Sequence, residues 1–211
     1  SQIGMPDLRA GSEDPGLAGL GARLSPQAEG FRIEHIYASD AELPGELSPL
    51  AATGLGIKAG DVITAINGRS AAGLADLSEL LRGQAGRQVL LQLKVGDGRP
   101  VQRIVTPVAQ SRERQLRYGD WRQARAQAVQ QAGQGRIGYL HLRAMGREDI
   151  ADFAREFYAQ VDREGLIIDV RFNNGGNIDS WILEKLMRRA WAFWQRRSPE
   201  GSPTYSNMQQ T

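Results

Sequence analysis

Residues 137–187 alternate twice between a short apolar run and a helix-period run, and this order restricts the fold more than any other feature of the 211-residue chain. "RIGYLHLRAM" has the character of a strand. "EDIADFAREFYAQVDREG" brings Ile150, Phe153, Ala154, Phe157 and Val161 onto one helical face. "LIIDVRF" is a second apolar run, predicted to be a buried strand, and "IDSWILEKLMRRAWAFW" predicts a helix that continues through Trp194. Strand–helix–strand–helix order implies a parallel α/β layer with right-handed crossovers. Its strands are too few for a closed sheet. Residues 1–16 read as loop, and the closing "SPEGSPTYSNMQQT" is polar without a period, so a piece of a longer protein is expected.

The first half carries a different pattern. "FRIEHIYAS" alternates apolar and polar residues with period two, the signature of a strand with one buried face. "DVITAING" is a strand that ends in Asn67-Gly68, a strong tight-turn pair. "LADLSELLRG" sets Leu74, Leu77, Leu80 and Leu81 on one face of a helix, stopped by Gly83. "RQVLLQLKV" and "PVQRIVTPV" read as two further strands joined by "GDGR". Residues 109–119, polar and arginine-rich, are expected to be a linker. A helix is predicted after it, capped by Asp120 and ended by Gly133. The reading is therefore a β-rich domain over 17–108, a linker over 109–119 and an α/β domain over 120–211.

Charge narrows the function. The 26 basic residues are arginines apart from Lys58, Lys94 and Lys185, and they are interspersed with 24 acids for a net charge of +2. A nucleic-acid protein would show a one-sided basic face, so no nucleic-acid partner is expected. No apolar run approaches the ~20 residues that cross a bilayer. The absence of cysteine excludes disulfides and thiolate metal sites and fits a reducing compartment. No His/Glu spacing suits a metal, and neither metal nor cofactor is expected.

Two glycine segments carry the chemistry. "GIKAGDVITAING" (Gly56–Gly68) resembles the most recognisable stretch of bacterial PDZ domains, and "GLGARL" (Gly19–Leu24) resembles their carboxylate loop. A carboxylate needs several convergent N–H donors, which a glycine-bearing turn before a strand supplies. The amides of Leu20, Gly21 and Ala22 are the candidate donors. A peptide adding to the strand edge would run past Leu24 and a helix bearing Leu77, Leu80 and Leu81. A phosphate-loop reading of "GLAGLGARL" lacks both a preceding apolar strand and an acid ~20 residues on.

The second segment is "DVRFNNGGNID", residues 169–179, where two glycines stand between an apolar strand and a helix. They make a turn, or they bring unpaired helix N-terminal amides against a ligand. A PDZ-like unit followed by "GRIGYLHLRAM…REGLIIDVRFNNGGNIDSWILEKL" resembles the tricorn-type branch of the C-terminal-processing serine peptidases, over most of residues 112–197. The resemblance implies a PDZ-like β-barrel domain followed by an incomplete crotonase-like α/β peptidase domain. It implies hydrolysis of peptides or unfolded proteins by an acyl-enzyme route, with Gly176, beside Gly175, as the oxyanion glycine. It also implies a cytoplasmic parent, often a homo-oligomer; a periplasmic form would need only an upstream signal.

The family's serine sits in a "GSDG"-like segment and its histidine in a "SH"-like motif. Neither is found here, so the piece alone is expected to be inactive. Ser180 reads as a helix-start residue, and His35 and His141 as structural strand histidines. Continuing the family's helix register puts its acidic substrate-selecting position at Trp194. That substitution predicts weaker preference for Arg or Lys and more tolerance of apolar residues. Two alternatives stay open: a PDZ scaffold fused to a degenerate peptidase-like domain, and an acyl-CoA enzyme on the same fold.

Overall fold

A computed structural model describes residues 16–38, 47–96, 98–147 and 149–187, together with the backbone strands at 192–195 and 204–207. Residues 1–15 and most of the polar tail, read above as loop, lie outside the described residues. The chain divides into two compact units, Ser1–Ala128 and Val129–Thr211.

Unit 1 begins with β1 (Ala18–Gly19), β2 (Ala22–Gln27) and β3 (Gly30–Ile36), followed by a 3₁₀ turn at Pro49–Ala51. Then come β4 (Val62–Ile66), β5 (Arg69–Ser70), the one-turn helix α1 (Ser78–Leu81), β6 (Val89–Val95) and β7 (Arg99–Val105). It closes with β8 (Val108–Ala109) and enters α2 (Gln110–Ala132). The main sheet runs β2-β3-β4-β6-β7, with β5 paired to β4, while β1 pairs antiparallel with β8. Period two explains the core. β6 turns Val89, Leu91 and Leu93 inward, where they share one core with Ile63 of the adjacent β4 and Ile33 of β3. Asn67 and Gly68 make the expected turn after β4, both with positive φ, at 50° and 78°.

Two elements of unit 1 differ from expectation. α1 spans only Ser78–Leu81, so Leu74 and Leu77 precede it. Residues 110–119, expected to be linker, are the first turns of α2, and Asp120 lies within that helix instead of capping it. Gln, Arg, Glu and Leu are strong helix formers, and the helix absorbs Gly119 at a cost of about 1 kcal/mol. The division between units falls within α2 rather than at 109–119.

Unit 2 contains β9 (Ile137–His141), α3 (Asp149–Tyr158), β10 (Gly165–Asp169), α4 (Asp179–Met187), β11 (Ala192–Gln195) and β12 (Thr204–Asn207). β9 and β10 are parallel, in a register running from Ile137–Gly165 to His141–Asp169, with α3 between them in the chain. Leu140, Leu142, Phe153, Ile178 and Ile182 form the core. The Phe153 ring stacks on Phe157 at 5.4 Å and meets Trp181 edge-on at 5.8 Å.

Three expectations are corrected in unit 2. β10 is not fully buried: Ile167 is 46% exposed, because β9 is the one strand paired with β10 among the described residues. Val161 lies beyond α3 and is exposed. α4 ends at Met187, and Trp194 falls on β11, opposite Tyr205 of β12, so part of the closing polar stretch is a strand. Aromatic-rich "AFWQ" suits a strand as well as a helix. With no helix running through 194, the register that matched Trp194 to a substrate-selecting position has nothing to follow.

Candidate functional site

The loop at residues 19–22 of unit 1 is shaped by its carbonyls. The Ser48 hydroxyl donates to the Gly21 carbonyl at 2.7 Å, and the Tyr37 amide donates to the same carbonyl at 2.9 Å. Gly21 sits at φ 71°, and a Cβ there would strike Ser48. The Ser48 hydroxyl also reaches the Leu20 carbonyl at 3.4 Å, and the Gly21 amide, on the opposite side of that peptide, donates to Glu113 Oε2 of α2 at 3.2 Å, with the Ala22 amide facing the same carboxylate. A Cβ on Gly19 would collide with this carboxylate. Burial pushes the Glu113 carboxyl up, an effect offset in part by the Gly21 amide, the Arg117 charge and the Ala22 amide.

Of the peptide-groove residues expected, Leu20, Leu77, Leu80 and Leu81 are buried in the core of unit 1, and Leu24 is half-buried against it. They support the loop from within. β2 stands at the sheet edge. Glu113 was not foreseen, because its segment was read as linker; its helix-forming neighbours were the available signal.

The glycine pair of unit 2 lies at an exposed turn after β10. Asp169, at the end of β10, accepts bonds from the Tyr139 hydroxyl at 2.8 Å, from Arg171 Nε at 2.9 Å and from the Arg171 amide at 3.0 Å. The Arg171 guanidinium holds the Asp169 carboxyl well below the usual carboxylate range, while burial and then Asp169 push the Tyr139 phenol up. Phe172 follows at φ 61°, a left-handed conformation rare for a bulky residue. Asn173 then bridges: its Nδ2 donates to the Leu142 carbonyl at 2.8 Å, and its Oδ1 accepts the Gly175 amide at 2.6 Å.

Gly175 and Gly176 therefore differ. The Gly175 amide is held by Asn173, and its carbonyl accepts the Met145 amide at 2.9 Å. The Met145 carbonyl in turn accepts the amides of Asn177 at 2.9 Å and Ile178 at 3.2 Å. This parallel bridge between Met145 and Gly176 turns the Gly176 amide away from Met145, and no group among the described residues bonds it. Gly176 has φ 150°, and a Cβ there would overlap the Met145 backbone. Ser180 is exposed in the first turn of α4. His141 is buried, its Nε2 2.7 Å from the Arg171 carbonyl, and His35 Nε2 lies 2.6 Å from Asp120 Oδ1. Among the described residues no three potential metal ligands gather, and no helix is long and apolar enough to cross a membrane.

An antiparallel PDZ-type sheet followed by a parallel strand pair ending in a glycine turn defines the class: a PDZ domain joined to part of an α/β domain. The tricorn protease PDZ domain model matches residues 16–110, and the peptidase family S41 model matches 136–209. Tricorn protease homolog 1 of Streptomyces coelicolor is 38% identical over 188 residues, 87% of this chain and 17% of that protein. The tricorn protease homolog of Saccharolobus solfataricus is 33% identical over 195 residues, 90% of this chain and 18% of that protein. The crystal structure of the tricorn protease superposes with a TM-score of 0.75 at 27% identity, covering 92% of this chain and 19% of that one. The chain belongs to the tricorn protease family, and it spans about a fifth or less of the length of these relatives.

Proposed function

We propose that this chain is the PDZ domain and part of the crotonase-like catalytic domain of a serine endopeptidase that cleaves peptides through an acyl-enzyme. The observation that supports this most is the Gly176 amide, unbonded among the described residues, on an exposed residue of the strand-to-helix turn. When a serine oxygen adds to a peptide carbonyl, negative charge develops on the carbonyl oxygen. A fixed N–H aimed there stabilises it without reorganisation. Asn173 and Met145 fix the peptide units on either side of that amide, so its direction does not depend on substrate. In this reading a second donor, the nucleophilic serine and its histidine base come from parts of the parent beyond these 211 residues, and the piece alone is inactive. The parent works in the cytoplasm as a homo-oligomer, without cofactor, and the PDZ domain engages substrate C-termini.

The test is turnover by the complete parent. Gly176→Ala keeps the N–H but its Cβ would meet the Met145 backbone and turn the amide aside, and kcat is expected to fall by about 100- to 1,000-fold, the usual cost of one lost oxyanion donor. Gly175→Ala, whose amide is already engaged and whose Cβ would enter open space, is expected to lower kcat far less. Equal turnover for Gly176→Ala and the unmodified parent would defeat the reading.

A further inference from the structure

The carboxylate loop of the PDZ domain already holds a carboxylate, that of Glu113. We propose that Glu113 is a displaceable internal competitor for this loop, so that α2 must draw back its first turn before a peptide C-terminus can enter. The inference rests on reading the loop as a carboxylate cradle and adds the regulation of that site.

Four observations carry it. The Gly21 amide, one of the three donors expected for a peptide terminus, is spent on Glu113, and the Ala22 amide, a second, faces the same carboxylate. Gly19 leaves the space that the carboxylate occupies. The pairing of β1 with β8 brings the start of α2 beside the loop, so the occupant is delivered by the chain itself. The remaining attachments of this helix to β3 and its end are polar and partly exposed. Arg117 Nε donates to the Tyr37 hydroxyl at 3.2 Å, and Asp120 Oδ1 meets His35 Nε2 at 2.6 Å and the Ala38 amide at 2.8 Å. Glu113, Arg117 and Asp120 recur at i, i+4 and i+7, one stripe of the helix. Each attachment is a polar contact at a partly solvated boundary, which a competing ligand and water can replace. α2 buries only Leu116 and Trp121 among its 23 residues. A carboxylate held in this loop by a helix with so small an apolar face can be exchanged for another.

The test uses the whole 211-residue chain, its Glu113→Ala and Glu113→Gln variants, and a labelled hexapeptide ending in leucine, with a free carboxylate or as the amide. Glu113→Ala is expected to bind the carboxylate peptide at least tenfold more tightly than the unmodified chain. Glu113→Gln, which loses the charge but keeps an oxygen in place, is expected to fall between them. The amidated peptide should gain nothing. In 15N spectra the Gly21 and Ala22 resonances should move in both variants, while those of β4 and β6 stay, which also reports folding. If the alanine variant loses the β4 and β6 signals, the glutamine variant decides alone. Equal peptide affinity in the unmodified chain and the folded variants overturns the proposal, and so do unmoved Gly21 and Ala22 resonances. Either result leaves the peptidase reading intact, because that reading is judged by turnover of the parent.

Discussion

Gly176 and Asp169 set the residue scale, one by lacking a side chain and the other by ionising. A Cβ at Gly176 meets the Met145 backbone, which cannot swing aside as a side chain would. Gly176→Ala is therefore expected to destabilise unit 2 by about 3 kcal/mol, more than the 1–2 kcal/mol typical of a left-handed conformation alone. Gly175→Ala, at φ 81° in open space, should cost about 1 kcal/mol. Urea unfolding of both variants measures the difference. Asp169 brings a pH dependence. Its folded carboxyl titrates below its unfolded value, so its stabilisation is complete above about pH 4 and drains away as the pH falls below that. Asp169→Asn is expected to cost about 2 kcal/mol at pH 7, a typical value for hydrogen bonds to a charged group. It should also flatten the loss of stability between pH 4 and pH 2 seen in the unmodified chain.

Elements explain which of these residues were legible in the sequence. β3, β4, β6 and β7 could be read because each repeats every second residue, and β4 and β6 also end at glycine turns. α3 could be read because Ile150, Phe153 and Phe157 repeat at helical spacing, and Phe153→Ala should cost about 3–5 kcal/mol through the loss of its stacking on Phe157 and its edge contact with Trp181. The first turns of α2 could not. Their stripe is Glu113, Leu116, Arg117 and Asp120, mostly polar, and it packs through charge and hydrogen bonds that no hydrophobic period records. β11 failed for the opposite reason, since aromatic residues satisfy either period. At the glycine turn, composition announced a bend after β10. That Gly175 is bonded and Gly176 is not depends on Asn173 and Met145, one acting through its amide group and the other through its backbone.

At the scale of the molecule, the two units differ in how completely they bury their apolar surface. Unit 1 closes a multi-stranded sheet over a continuous core. In unit 2 the described parallel sheet has two strands, and Ile167, Val170, Leu183 and Met187 are exposed. Two strands alone are marginal in water. Amides of β10 are therefore expected to exchange with solvent at least tenfold faster than those of β6, measured by hydrogen exchange on the 211-residue chain. Equal protection would show that unit 2 is as firmly built as unit 1. Within that looser unit, the bridge at Met145 has its own consequence. Position 145 aims the glycine through its peptide groups while its side chain only packs against the core, so relatives can exchange it for other apolar residues, whereas proline, lacking an N–H to offer, would cut the link to the Gly175 carbonyl. An alignment searched for invariant side chains would pass over the residue that aims the glycine.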